Sequence, residues 1–442
     1  MTCPRTEISM NTLSRLHAGE LKGATRLDLC CGLTRFPEAI FELADTLEVL
    51  NLTGNALSEL PADLGRLHRL RVLFCSNNRF TRLPTSVGRC ESLTMVGFKA
   101  NQIVEIPPEA LPPQLRWLIL TDNLIETLPD NLGDCTALQK LMLAGNRLGR
   151  LPQSLARCER LELLRISSNA LTQLPEWLFT LPRLAWLAYA GNRLPEGYTR
   201  PGVFTPPAHI EWQRLEVEGI LGEGASGVIH QARLDGLVPV AVKLYKGALT
   251  SDGSPLDEMD ACVAAGEHPQ LLPILGQITG HPEGASGLVM GLVASAFRNL
   301  AGPPSLASCT RDEYAQDMTF EAAQAGRLAR GVASACAHLH SRGLMHGDLY
   351  AHNLLWREDG ECLLTDFGAA SFYPAGRSAM AAGLERIEVR AFGLLLGELL
   401  QRMQDCADLE PLWALQRACV QPHAMMRPGF EEISARLAGL GA

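Results

Sequence analysis

The chain has 442 residues, of which 47% are hydrophobic and 20% are charged, a length and composition that suit a globular protein of two or three domains. The excess of acidic residues behind its net charge of −9 lies in the C-terminal half, so neither half offers the basic surface of a nucleic-acid-binding protein. Residues 1–19 lack the apolar core of a signal peptide, and no apolar run is long enough to span a membrane. With 13 cysteines predicted to be free thiols, we expect a cytoplasmic protein.

A repeat with a period of 22–23 residues runs from about residue 24 to residue 194. Each copy places leucines in the pattern Leu-x-x-Leu-x-Leu, then an asparagine and, in nearly every copy, Leu-Pro or a close equivalent. The asparagines are Asn55, Asn78, Asn101, Asn123, Asn146, Asn169 and Asn192. This pattern resembles the leucine-rich repeat, which implies an α/β solenoid of about eight repeats over residues 1–194. We expect the asparagine amides to bond turn backbone groups that the strands leave unpaired.

Side chains that flank the strand leucines are predicted to face out of the concave sheet, and they are unusually apolar for such a surface. They include Val72, Phe74, Met95, Trp117, Ile119, Met142, Leu163 and Trp186. An exposed apolar patch with aromatic anchors is typical of a protein-binding surface. We interpret it as the site of a protein partner or substrate. The alternative is that it packs against the C-terminal domain of the same chain.

The C-terminal domain is predicted to span residues 210–442, after a linker rich in proline and glycine at residues 195–209. An alternating strand is followed by a Gly-x-Gly-x-x-Gly loop that begins at Gly222. This loop alone is weak evidence, since it also opens dinucleotide-binding folds, where a helix follows at once. Here β-type residues follow instead, and then the apolar segment Val240–Lys243. The order is strand, loop, strand, strand.

Two more motifs supply the chemistry of the domain, namely His346-Gly-Asp-Leu-Tyr-Ala-His-Asn353 and Asp366-Phe-Gly368. Carboxylate and carboxamide oxygens suit a hard cation such as Mg²⁺, and Asp348 could accept a proton from an attacking hydroxyl. Together with the glycine loop and Lys243, these motifs resemble those of the protein kinase family. Two positions depart from the family pattern. Gly347 stands where an arginine is usual, and Tyr350 stands where serine/threonine kinases usually carry a lysine.

The resemblance implies an α+β bilobal domain that binds ATP and Mg²⁺. It implies that Asp348 is the catalytic base, that Asn353 and Asp366 hold the metal, and that Lys243 binds the phosphates. A carboxylate should hold this lysine, and we choose Glu258 over its neighbours Asp257 and Asp260. The implied nucleotide site comprises Leu221, Gly222, Gly224, Gly227, Ile229, Ala241, Lys243, Met290 and Leu292.

The segment between Asp366 and Glu388 is much shorter than the activation segment of typical kinases. We expect Glu385 to pair with Arg427 in place of the usual ion pair at its end. Without an arginine at position 347 to read a phosphate on that segment, activity is expected to be constitutive or gated by the repeats.

Three functions remain open from the sequence: a protein kinase, a pseudokinase scaffold whose repeats bind a partner, and a small-molecule kinase. The complete set of catalytic residues favours the first, and serine/threonine specificity is favoured only because it is the commoner class.

Overall fold

A computed structural model describes residues 4–198, 208–247, 249–374, 376, 378–404 and 409–439. The chain divides into two compact units. The first comprises Met1–Leu164 and Asn169–Trp177, and the second comprises Arg165–Ser168 and Leu178–Ala442. The division therefore runs through the last repeats. Most of the predicted linker, residues 199–207, lies outside the described residues.

The repeats contribute eight strands of three residues, which form one parallel sheet in chain order after the N-terminal helix α1 (Pro4–His17). The strands are β1 (Arg26–Asp28), β2 (Val49–Asn51), β3 (Val72–Phe74), β4 (Met95–Gly97), β5 (Trp117–Ile119), β6 (Lys140–Met142), β7 (Leu163–Arg165) and β8 (Trp186–Ala188). Between strands the chain returns through short 3₁₀ helices, so the repeat architecture expected from the sequence is confirmed.

The repeat asparagines bond the backbone of two consecutive repeats, as predicted. The side-chain nitrogen of Asn123 donates to the carbonyl oxygens of Phe98 and Leu120, at 2.9 and 3.0 Å. Its oxygen accepts the N–H of Ile103 at 2.9 Å. Asn78, two repeats earlier, and Asn146, one repeat later, make the same contacts. These buried amides satisfy backbone groups that three-residue strands cannot pair.

The outward-facing apolar side chains of the sheet are less exposed than the sequence suggests. Phe74, Trp117, Ile119 and Met142 are half-buried, whereas Val72, Met95, Leu163 and Trp186 are buried. For Trp186 the prediction of a solvent-facing partner site is wrong. Its ring is only 2% exposed because it stacks on Tyr350 within the second unit.

The second unit contains a six-stranded mixed sheet. Its strands are β9 (His209–Glu211), β10 (Leu215–Glu223), β11 (Gly227–Leu234), β12 (Val238–Tyr245), β13 (Ile274–Thr279) and β14 (Gly287–Gly291), in the order β10-β11-β12-β14-β13-β9. Helix α2 (Pro255–Ala265) follows β12, and the side chain of Ser254 caps its first turn. The glycine loop connects β10 to β11 at one end of this sheet.

The rest of the unit is mainly helical. Its helices are α3 (Ala322–Ser341), α4 (Ala379–Leu400), α5 (Glu410–Cys419) and α6 (Phe430–Gly439). Short strands flank the motifs at His346–Asn353 and Asp366–Gly368: β15 (Arg298–Asn299), β17 (Leu354–Trp356) and β18 (Cys362–Leu364) form one sheet, while β16 (Leu344–Met345) pairs with β19 (Ser371–Phe372). Among the helices that the structure describes, none is long and apolar enough to cross a membrane.

Candidate active site

A cleft of about 310 Å³ lies between the glycine loop and the Asp366-Phe-Gly368 segment. Gly224 and Gly227 form one wall, and Asn353 and Asp366 contribute to the other. Gly227 permits a close approach, because a Cβ there would lie 2.4 Å from the carbonyl oxygen of Leu244. Apolar side chains, among them Met290, complete the lining. The cleft thus combines an apolar part with a polar floor, as nucleotide sites do.

Lys243 on β12 forms an ion pair with Glu258 on α2, and both side chains are largely buried. Burial alone would lower the pKa of Lys243, but the adjacent Glu258 carboxylate raises it above its ordinary value. The lysine therefore carries its positive charge into the cleft. Of the three acidic residues considered on this helix, Glu258 is the one that the structure pairs with Lys243.

The loop after β16 holds Asp348 through its neighbours. Asn353 donates its side-chain nitrogen to the Asp348 carbonyl at 2.9 Å and to its Oδ2 at 2.8 Å. His346 accepts the Asp348 N–H on Nδ1 at 3.3 Å, and its Nε2 bonds the Thr365 carbonyl at 2.9 Å. These contacts join this loop to the segment after β18 that leads to Asp366.

Glu388 on α4 forms hydrogen bonds with the backbone of the same loop. Its carboxylate accepts the N–H of Gly347 at 2.6 Å and the N–H of His346 at 3.2 Å, and it bonds His340 at 2.7 Å. Burial opposes ionisation of Glu388, but these hydrogen bonds hold its pKa below the ordinary value. A buried anion thus fixes the loop backbone.

Asn353 and Asp366 both line the cleft and offer oxygen atoms that suit Mg²⁺. No cluster of three or more His, Cys, Asp or Glu residues capable of holding a metal occurs in the part of the chain that the structure describes. Mg²⁺ is usually held by one or two protein side chains together with phosphate oxygens of the nucleotide and water. The donor set therefore fits a magnesium–nucleotide complex.

Arg165, at the end of β7, also reaches this centre. Its guanidinium bonds the Asp348 carboxylate directly, donates to the Gly347 carbonyl at 2.9 Å and pairs with Asp252 at 2.6 Å. Arg165 is only 1% exposed. Burial opposes ionisation of Asp348, yet Arg165 and two nearby histidines hold the pKa of that carboxyl below its ordinary value.

Strand β8 contacts the same loop. The Trp186 ring stacks on Tyr350 with centroids 4.1 Å apart and planes 6° from parallel, and its indole N–H donates to the Leu349 carbonyl at 3.0 Å. The N–H of Tyr189 donates to the hydroxyl of Ser371 at 3.0 Å. The last repeat strand is therefore part of the wall behind the catalytic loop.

The remaining predicted nucleotide residues have different placements. Gly224, Gly227, Ile229, Lys243 and Met290 line the cleft, whereas Leu221, Gly222, Ala241 and Leu292 do not. Leu221 is exposed. Leu292 packs against the buried cluster that contains Ala241. The N–H of Gly291, between Met290 and Leu292, donates to the Pro273 carbonyl at 2.9 Å.

The predicted ion pair between Glu385 and Arg427 does not form. Arg427 donates instead to the carbonyl oxygens of Gln421, Arg386, Pro422 and Pro182. Glu385 accepts the N–H of Phe430 at 2.8 Å and lies near Arg386. The prediction is wrong because backbone carbonyls from three separate segments of the chain satisfy the buried guanidinium.

Sequence reasoning missed several residues of this centre. Arg165 stands at an outward-facing position of the repeat sheet among mostly apolar residues, and its charge there is the one available signal. Asp252 lies in a segment without a motif. His352 lines the cleft and its ring bonds the buried Asp312 at 2.7 Å, which raises the pKa of His352 against the opposing effect of burial.

Comparisons with known proteins agree with this geometry. Residues 215–385 match the protein kinase domain, and residues 46–67 and 136–194 match leucine-rich repeat families. The chain is 28% identical over 227 residues to a putative cyclin-dependent kinase F-2 of Oryza sativa subsp. japonica, covering 50% of this chain and 66% of that protein. It is 30% identical over 182 residues to the serine/threonine-protein kinase mos of Gallus gallus, covering 38% and 51%.

A probable LRR receptor-like serine/threonine-protein kinase of Arabidopsis thaliana is 26% identical over 230 residues, covering 45% of this chain and 36% of that protein. The chain thus spans from about a third to two thirds of the length of these relatives. Among solved structures, a leucine-rich-repeat protein of Leptospira interrogans is 26% identical, with a TM-score of 0.34, and covers 40% of this chain and 51% of that one.

Proposed function

Since the chain carries leucine-rich repeats followed by a protein kinase domain, we propose that it is an ATP-dependent protein kinase that transfers the γ-phosphate to serine or threonine hydroxyls. The observation that carries this proposal is the convergence on one cleft of the Lys243–Glu258 pair with Asn353 and Asp366. Serine/threonine specificity is supported by the names of several relatives.

In this function Lys243 binds the α- and β-phosphates, and Glu258 holds the lysine in place. Asn353 and Asp366 hold Mg²⁺, which, when bound, neutralises charge on the transferred phosphoryl group. Asp348 orients the acceptor hydroxyl and takes its proton. Catalysis then depends mainly on positioning and on charge stabilisation.

The test uses the full chain with labelled ATP and Mg²⁺, with and without a cell extract. We expect label on protein, and we expect Asp348→Asn to lower the transfer rate by about 10²–10⁴-fold, the usual effect of losing a general base. Glu258→Gln should raise the KM for ATP, whereas its neighbour Asp260→Asn should leave it unchanged. Label in no wild-type sample would support a pseudokinase scaffold, and label only on small solutes would support a small-molecule kinase.

We further propose that the half-buried face of the first unit, formed by Phe74, Trp117, Ile119 and Met142, binds a protein. Trp117 anchors this face, with its indole N–H on the Met142 sulfur at 3.4 Å and the Lys140 ammonium over its ring at 4.5 Å. Trp117→Ala should abolish capture of the partner from extract without changing the melting temperature by more than a few degrees. Unchanged capture would contradict the assignment.

A further inference from the structure

The catalytic loop lacks both positive charges that the kinase pattern places on it. Position 347 is a glycine and position 350 is a tyrosine. Neither can be exchanged simply for a basic residue in this fold. Gly347 has φ +75°, and a Cβ there would lie 2.6 Å from the carbonyl oxygens of Ala369 and Leu187. Tyr350 is held by its stack on Trp186. The loop therefore needs a cation from elsewhere.

Arg165 brings a cation to this place from 183 positions earlier in the chain. Each of the three guanidinium nitrogens of Arg165 donates to this centre: Nε to Asp252, Nη1 to the Gly347 carbonyl and Nη2 to Asp348. One oxygen of Asp348 accepts from Arg165 and the other accepts from Asn353. A planar guanidinium that bonds several acceptors fixes their geometry more firmly than a single ammonium does.

The partner on the other side, Asp252, is itself fixed. Its N–H and that of Gly253 both donate to the hydroxyl of Thr250, at 3.1 and 3.2 Å. This turn leads through Ser254, the cap of α2, to Glu258. Arg165 thus connects the catalytic loop to the segment that precedes the helix carrying Glu258. Asp252 also lines the cleft.

The contact between Arg165 and the loop of Asp348 lies in the interior of the second unit and not on its surface. Trp186 is buried on Tyr350, Tyr189 bonds Ser371, and the Pro182 carbonyl accepts from the buried Arg427. Releasing Arg165 as a removable inhibitor would require all these contacts to break. The burial of Arg165 within these contacts favours a role in building the site over a role in inhibiting it.

We propose that Arg165 is a positioning residue of the phosphotransfer site, supplying from a repeat strand the cation that the catalytic loop lacks and fixing the orientation of Asp348. The inference rests on the proposed kinase function and deepens it. In the proposed reaction the substrate hydroxyl approaches Asp348 while Arg165 and Asn353 hold the carboxylate in place. Arg165 acts through Asp348 and does not itself bind ATP.

The test measures kcat and KM separately in the full chain, with MgATP and dephosphorylated casein as the acceptor probe. We expect Arg165→Gln to lower kcat by about 10–100-fold, within the range of a general base, while the KM for ATP changes by less than about threefold. Arg165→Lys should recover part of this loss because it restores the charge without the fork. Exposed Arg160→Gln, from the same repeat, is the matched control and should match the wild type.

A double variant identifies the route of action. If Arg165 works through Asp348, adding Arg165→Gln to Asp348→Asn should cause no further loss of kcat. An additional loss as large as that in the wild-type background would overturn the proposal, as would an unchanged or higher kcat in Arg165→Gln alone. A higher kcat would identify an inhibitory arginine instead.

Two further results distinguish a failure of folding, or of the proposed kinase function, from a failure of the proposed role of Arg165. If Arg165→Gln shows no cooperative melt, Arg165→Lys and the charge-balanced Arg165→Gln/Asp252→Asn variant decide the question by the same kcat comparison. If the wild-type chain itself transfers no phosphate, the proposed function fails first and the inference fails with it. If the wild type is active and the variants equal it, only the inference fails.

Discussion

Gly347 shows how one backbone conformation decides the chemistry of the catalytic loop. Its φ of +75° lies in the region that side chains rarely adopt, and two carbonyl oxygens occupy the space where a Cβ would stand. The arginine typical of the kinase pattern is therefore excluded at this position. Its absence is a packing requirement of this fold, and by itself it is no sign of an inactive enzyme.

We predict that Gly347→Arg, although it restores the family pattern, lowers the free energy of unfolding by at least about 3 kcal/mol, since strain at positive φ adds to a steric clash. Urea unfolding measures this. Gly280→Ala is the matched control, because Gly280 has φ +69° with open space around it and should cost only about 1 kcal/mol. A Gly347→Arg variant as stable as the wild type would contradict the assigned geometry.

Three residues with hydroxyl groups in the short activation segment, Ser371, Tyr373 and Ser378, have structural roles. The hydroxyl of Ser371 is buried and accepts from Tyr189, and Tyr373 bonds His340 at 2.6 Å. Ser378 caps α4 by accepting the N–H of Ala381 at 3.0 Å. These side chains hold the fold together, so substituting them would test stability before it tested phosphorylation.

At the scale of elements, helix α4 carries a carboxyl group that favours its protonated form. Glu398 accepts the Tyr314 hydroxyl at 3.0 Å, and the Arg402 guanidinium lies over the Tyr314 ring at 3.8 Å. Burial raises the pKa of Glu398 to about 7, and the nearby Asp312 acts in the same direction. Arg311 and Arg402 oppose this shift only in part.

A carboxyl with a raised pKa in the folded state binds its proton more readily there than in the unfolded chain. Stability should therefore rise as the pH falls from about 8 towards 5.5, by roughly 2 kcal/mol from this group alone. Glu398→Gln should remove this contribution to the pH dependence of stability. The difference in the free energy of unfolding between wild type and variant should therefore be largest near pH 8. Urea unfolding at both pH values tests this, and an equal pH dependence in the two proteins would contradict it.

Elements with a local signal were predictable from the sequence. The repeat spacing predicted the strands and the asparagine bonds, because one repeat determines the environment of the next. The order of the glycine loop and Lys243 predicted three strands, and these are β10, β11 and β12, which the structure pairs antiparallel. The choice of Glu258 depended on resemblance, since three acidic residues of α2 were available and only the packing of the helix brings one of them to Lys243.

Contacts between distant segments were not predictable in the same way. The bonds from Arg165 to Asp348 and from Arg427 to the Pro182 carbonyl join segments that no local pattern relates. Burial of Trp186 likewise depends on Tyr350, an unusual residue at its own position. The repeat pattern alone places Arg165 and Trp186 on the outward face of the sheet, but the structure buries both side chains inside the second unit.

For the whole molecule, the second unit includes the end of the repeat array. We predict that a chain starting at residue 208 is unstable, because it leaves Tyr350, Ser371 and Arg427 without their partners on residues 182–189. It should melt at least about 10 °C below the full chain or aggregate, and it should not bind MgATP.

Trp186→Ala in the full chain is the companion variant, and removing this buried ring should cost about 3–5 kcal/mol. Differential scanning calorimetry measures both changes. A truncated chain that melts with the full-length protein and binds MgATP equally well would show that the repeats contribute nothing to the catalytic unit.

The placement of Arg165 also limits how this architecture can be re-engineered. A designer who grafts a new recognition array would naturally cut at the stretch rich in proline and glycine, and would then discard Arg165, the buried partner of Asp348, along with the old array. Repeats can be exchanged only upstream of β7. The last two repeat strands, β7 and β8, must be kept with the C-terminal unit, whereas the repeats before them are free to vary.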